Sequence, residues 1–139
     1  MNGEYISMSG RRKTVRISEA EWHIMNVLWD ACPKKNGVGL SLGEIVQRMP
    51  SSMSWTNTTI RTLIIRLADK GVVKIDKTTG VYKYMPALDK SQCVEEEIDM
   101  FVARVCDNSP YQLVASLVRK GKLNEREKKE IIDILNEIH

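Results

Sequence analysis

The sequence predicts a mostly α-helical chain carrying one small β-hairpin. Three observations lead there. Apolar residues recur at helical spacing in six stretches, four of which open on a Ser or Asn capping residue. Between the third and fourth stretch the pattern changes to two short strand-like runs around a polar turn. Charge is also divided: residues 1–88 hold 13 Lys+Arg against 7 Asp+Glu, whereas residues 89–139 hold 8 against 11.

Residues 1–16 read as a flexible leader. Gly3, Gly10 and several Ser accompany the basic run Arg11-Arg12-Lys13, either a solvated tail or an arm that touches phosphates. The first helix opens at Ser18-Glu19-Ala20-Glu21, a capping box in which the Ser18 hydroxyl and Glu21 carboxylate satisfy two orphan amides. Trp22, Met25, Leu28 and Trp29 form its apolar face, and Cys32-Pro33-Lys34-Lys35-Asn36-Gly37 ends it. A second box, Ser41-Leu42-Gly43-Glu44, opens a short helix to about Met49, with Leu42, Ile45, Val46 and Met49 on one side; Pro50-Ser51-Ser52 breaks it. The third helix runs from about Thr56 to Lys70 and is closed by Gly71, which suits a left-handed C-terminal position. Val72 to Ile75 reads as a strand, Asp76 to Gly80 as a turn, and Val81 to Met85 as a returning strand stopped by Pro86. Three helices followed by a hairpin make residues 17–88 a winged helix-turn-helix domain.

Residues 89–139 return to helical spacing. Val94, Ile98, Phe101, Val102 and Val105 form one stripe. Ser109-Pro110-Tyr111-Gln112 opens the next helix with a cap, a Pro at its first position and a capping-box Gln; Leu113 and Leu117 follow. Asn124-Glu125-Arg126-Glu127 opens the last, which carries Ile131, Ile132, Leu135 and Ile138. A helical segment of about 50 residues rarely stabilises itself. A second copy supplying the missing face is the economical solution, so a homodimer is expected. Its candidate contacts are Val94, Ile98, Phe101, Val102, Val105, Leu113, Leu117, Ile131 and Leu135.

The third helix carries the functional signal. At about 100° per residue, Ile60, Leu63, Ile64 and Leu67 share the core side. The opposite side holds Thr58, Arg61, Thr62, Ile65 and Asp69, flanked by Thr59 and Arg66. Short hydroxyls interleaved with two Arg suit a DNA major groove, where Arg reads guanine or binds phosphate and Ile65 meets a thymine methyl. Lys74, Lys77 and Lys83 on the hairpin are placed to touch the DNA backbone or minor groove. The competing class is a winged helix that docks on a partner protein; the basic balance of residues 1–88 favours DNA.

Other classes are excluded or disfavoured. There are two His, His23 and His139, and no glycine-rich phosphate loop, metalloprotease helix or nucleophile-elbow pattern, so no enzyme is expected. Glu95-Glu96-Glu97 point in different directions and solvate a face. Cys32, Cys93 and Cys106 are odd in number and widely spaced, which fits small hydrophobes rather than a disulfide framework or metal site. No metal and no cofactor are expected. No apolar run reaches the ~18 residues of a membrane span and no secretory signal is visible, so the expected compartment is the cytoplasm.

Ile17 to Trp29, Trp55 to Gly71, and Tyr82-Lys83-Tyr84 with Pro86 resemble the penicillinase-repressor family. The resemblance covers nearly all of residues 17–139. It implies a dimeric winged-helix repressor that binds palindromic operators with TACA/TGTA half-sites through positions matching Thr56, Thr59, Arg61, Thr62 and Arg66. A Pro-Lys pair common in the family is Asn57-Thr58 here, which removes one positive charge from the groove-facing end. The resemblance also implies release through a sensor-linked protease that cuts an Asn-Phe bond in the first dimerisation helix. The aligned pair is Met100-Phe101, so the Phe is kept and the Asn is not. Copper-responsive members end in closely paired cysteines; this chain ends without Cys.

Overall fold

A computed structural model describes residues 15–32 and 38–138. The basic run Arg11-Arg12-Lys13, the Pro33–Gly37 breaker and His139 lie outside the described residues. The chain divides into two compact units, one ending at Glu97 and the other beginning at Ile98.

In the first unit, helix α1 spans Glu19–Ala31, α2 Leu42–Arg48 and α3 Asn57–Asp69. Both expected capping boxes form. The Ser18 amide donates to Glu21 Oε1 at 2.8 Å while the Glu21 amide donates to Ser18 Oγ at 3.2 Å, and Ser41 and Glu44 repeat the exchange. The buried row of α1 is Glu21, Ile24, Met25, Leu28 and Trp29, so the expected face is rotated. Trp22 is only half-buried and leans on Trp29, with ring centroids 5.5 Å apart. Ile24 is fully enclosed, and the Trp22 indole packs against the same core from its margin.

Strands β1 (Val73–Asp76) and β2 (Lys83–Pro86) pair antiparallel, with Val73 opposite Pro86 and Asp76 opposite Lys83. The returning strand therefore starts two residues later than the alternation of Val81-Tyr82 suggests. Local hydrogen bonds decide this. Asp76 Oδ1 accepts from the Thr78 amide at 2.9 Å and from its hydroxyl at 2.7 Å, and the Thr79 hydroxyl donates to the Val81 carbonyl. Gly80 takes φ +81°, and Val81 and Tyr82 stay in the exposed loop.

The hairpin has a third partner that periodicity did not reveal. Leu40 and Tyr84 exchange both backbone hydrogen bonds, at 2.9 and 2.7 Å. Only glycine fits beside that bridge: a Cβ on Gly39 would stand 2.6 Å from the Tyr84 carbonyl oxygen. The core beneath is aliphatic, with Ile24, Met25, Leu28, Ile45, Ile60, Ile64, Leu67 and Val72 fully enclosed.

Helix α4 runs Lys90–Val105, and in the second unit it is followed by α5 (Pro110–Arg119) and α6 (Glu125–Glu137). Asp107 and Asn108 take left-handed φ of 51° and 62°, and the Asn108 amide closes back on the Val102 carbonyl at 3.0 Å. Ser109 supplies the hydroxyl half of its expected box, accepting from the Gln112 amide, and Asn124 and Glu127 form a complete one. Despite these caps, neither α5 nor α6 buries a single residue.

Candidate nucleic-acid interface

Helix α3 is fixed from inside. Ile60, Leu63, Ile64 and Leu67 are its four buried residues, as their spacing requires. Its end is held by Gly71, at φ +81°, with the Val72 amide donating to the Leu67 carbonyl at 2.9 Å. A second restraint has no local sequence signal: Lys70 Nζ reaches Glu21 Oε1 at 2.6 Å and the Arg16 carbonyl at 2.8 Å. Burial pushes the Glu21 carboxyl up, but Lys70 and the Ser18 hydrogen bonds outweigh it and hold the group below its ordinary value. The last turn of α3 is thereby tied to the first turn of α1. Ahead of the helix, the Trp55 ring packs edge-on to His23 at 6.0 Å.

With its inner side anchored, α3 turns Thr58, Thr59, Arg61, Thr62, Ile65, Arg66 and Asp69 to the outside, all exposed. Thr56 is the N-cap; its hydroxyl accepts from the Thr59 amide at 3.1 Å and pairs with the Thr59 hydroxyl at 3.1 Å. The Thr62 hydroxyl donates to the Thr58 carbonyl at 2.9 Å. The first turn contains no acidic residue, so the partial positive charge of the helix start is not neutralised there. Arg61 and Arg66 have no ion-pair partner among the described residues. Their guanidinium groups are permanently charged donors.

The wing lysines differ from one another. Lys74 is exposed on β1, and the Lys77 ammonium lies over the Tyr82 ring, 5.4 Å from its centroid. Lys83 is half-buried and turns toward α2, with its Nζ 3.5 Å from Glu44 Oε1. The Ser41 amide, together with Lys83, holds the Glu44 carboxyl below its ordinary value.

In the second unit, Val102 is buried and Leu113 and Ile131 are half-buried, while Ile98, Phe101, Val105, Leu117 and Leu135 are exposed. Val94, in the first unit, is half-buried. Met100 and Phe101 both lie within α4, and the Arg104 guanidinium sits 5.9 Å from the Phe101 ring centre. The three cysteines are buried and form no disulfide among the described residues, and burial raises the Cys32 thiol above its ordinary value. Among the described residues no group of His, Cys, Asp or Glu is arranged to hold a metal ion, and no helix is long and apolar enough to cross a membrane.

The penicillinase repressor family model matches residues 17–137. The penicillinase repressor of Staphylococcus aureus is 36% identical over 131 residues, which cover 91% of this chain and 95% of that protein. The methicillin resistance regulatory protein MecI of Mammaliicoccus sciuri is 32% identical over 124 residues, covering 89% and 96%. Among solved structures, the monomeric form of Bacillus licheniformis BlaI in complex with the blaP half-operator matches at 29% identity. That match has a TM-score of 0.45 and covers 57% of this chain and 89% of that one. This chain belongs to the penicillinase repressor family.

Proposed function

We propose that this protein is a transcriptional repressor that binds operator DNA with α3 in the major groove. The observation that carries the reading is the division of α3. Its four aliphatics are consumed by the core, which leaves Thr58, Arg61, Thr62 and Arg66 outward on a helix with no acid in its first turn. Thr56 and Thr59 flank the entry of that helix, and Lys74 and Lys77 supply phosphate contacts from the wing. Lys83 joins them only by leaving Glu44, so its share is the smallest. Family membership supports the same reading.

The working form is a homodimer on a palindromic operator. Exposed Ile98, Phe101, Val105, Leu117 and Leu135 support it, because isolated helices with uncovered aliphatic stripes are unstable in water. Val94, Val102, Leu113 and Ile131 complete the dimerisation set. The protein acts in the cytoplasm, where the DNA is. Release from DNA follows proteolysis near Met100-Phe101 by a sensor-linked protease. Because that bond lies within α4, cutting requires local unwinding first.

The test is a gel shift on the gene's own upstream region at two salt concentrations. A shift that weakens steeply with salt, by roughly one logarithmic slope unit per phosphate contact, is the expected result. No salt-sensitive shift on any palindrome sinks the repressor reading and leaves a protein-docking winged helix in its place.

A further inference from the structure

The outward side of α3 has fewer free hydrogen-bond donors than its composition suggests. The Thr62 hydroxyl proton is committed to the Thr58 carbonyl, and the Thr56 and Thr59 hydroxyls are paired with each other. Two of these three hydroxyl protons are thereby committed, so the threonine methyl groups make up much of what these side chains offer an apolar partner. In their midst stands Ile65, 43% exposed although the buried side of the same helix is wholly aliphatic. At about 100° per residue, Thr58, Arg61 and Asp69 lie within about 40° of Ile65, and Thr62 within about 60°. Ile65 is therefore central to the row that faces outward.

We infer that Ile65 is a specificity-determining residue that reads the 5-methyl group of a thymine in the operator. The inference rests on the repressor reading above. Thymine is the one base that offers an apolar group in the major groove, and an aliphatic side chain flanked by threonine methyls is its chemical complement. Arginine contacts favour guanine or phosphate and leave that position unread. The spacing sets where the thymine lies. Ile65 follows Arg61 by one helical turn, about 6 Å along the axis, which is roughly two base steps. The thymine read by Ile65 therefore falls within about two base pairs of the base or phosphate held by Arg61.

The experiment uses the full chain and a duplex selected by it from random sequence. Each thymine is replaced in turn by deoxyuridine, which deletes only the methyl group, and binding is followed by fluorescence anisotropy at fixed salt. One position per half-site is expected to weaken binding about fourfold when its methyl is lost, as befits one buried methyl-sized contact. Ile65→Ala is expected to bind the thymine and deoxyuridine duplexes equally, while keeping the wild-type circular dichroism spectrum. Uniform tolerance of deoxyuridine by the wild type overturns the inference, as does a methyl effect that persists undiminished in Ile65→Ala. Specific binding that ignores the methyl leaves the repressor reading standing. Failure to select any duplex removes both.

Discussion

Lys70 and Glu21, 49 positions apart, meet at 2.6 Å, and the carboxylate is only 2% exposed while the lysine side chain keeps 36%. The pair joins the start of α1 to the end of the helix that carries the outward Arg and Thr residues. Removing the lysine alone leaves a buried carboxylate without its cation. Lys70→Met is expected to destabilise the fold by about 2 kcal/mol, less than for fully enclosed pairs because Lys70 remains partly hydrated. Urea unfolding at neutral pH measures it.

The same pair sets a pH dependence. Glu21 is held below its ordinary value in the folded chain, so its stabilisation is present above the unfolded value and is lost as pH falls through the lower folded value. The urea midpoint of the wild type is expected to drop on acidification below about pH 4.5 more steeply than that of Glu21→Gln. Parallel curves would show that Glu21 contributes nothing to the acid limb.

Arg61→Ala is expected to cost on the order of 1–3 kcal/mol of operator affinity if the guanidinium contacts a base, and to relax preference at that base pair. Its unfolding curve is expected to match the wild type, since Arg61 is exposed and makes no ion pair among the described residues. Lys74→Ala is expected to behave differently, weakening all sequences alike and lowering the salt slope by about one unit. Unchanged affinity at fixed salt takes either residue out of the interface.

Gly39→Ala pushes a methyl to within 2.6 Å of the Tyr84 carbonyl oxygen, a backbone atom that cannot swing aside. The Leu40–Tyr84 bridge must open or the hairpin must shift. A loss of about 1–3 kcal/mol in unfolding free energy is expected. DNA affinity is expected to fall with it if the wing contributes contacts.

Leu135→Asp alters a side chain that is 60% exposed, so a single chain tolerates it. Sedimentation at micromolar concentration is expected to give dimer for the wild type and monomer for the variant. A wild-type monomer refutes the homodimer directly.

What could be read from the sequence was what the chain decides locally. The boxes at Ser18, Ser41 and Asn124, the left-handed Gly71 and the four aliphatics of α3 all follow from residues a few positions apart. The outward side of α3 was legible for the same reason: it is what remains once Ile60, Leu63, Ile64 and Leu67 turn inward. Errors arose where distant partners compete with local pattern. Ile24 takes an enclosed position and Trp22 stays at the margin of the core, because burial on α1 is set by the helices packed against it and not by spacing along it alone. Val81-Tyr82 alternates like a strand, yet the side-chain bonds of Asp76 and Thr79 hold a longer loop. Neither the Leu40–Tyr84 bridge nor the Lys70–Glu21 contact leaves a periodic trace, since each joins segments that meet only in the folded chain.

The absence of any buried residue in α5 and α6 has a consequence for dosage. With a second copy as the missing cover, the assembled population at low abundance grows as the square of the amount of chain present. Halving synthesis then leaves about a quarter of the pairs. A modest change in production or turnover becomes a sharp change in promoter silencing.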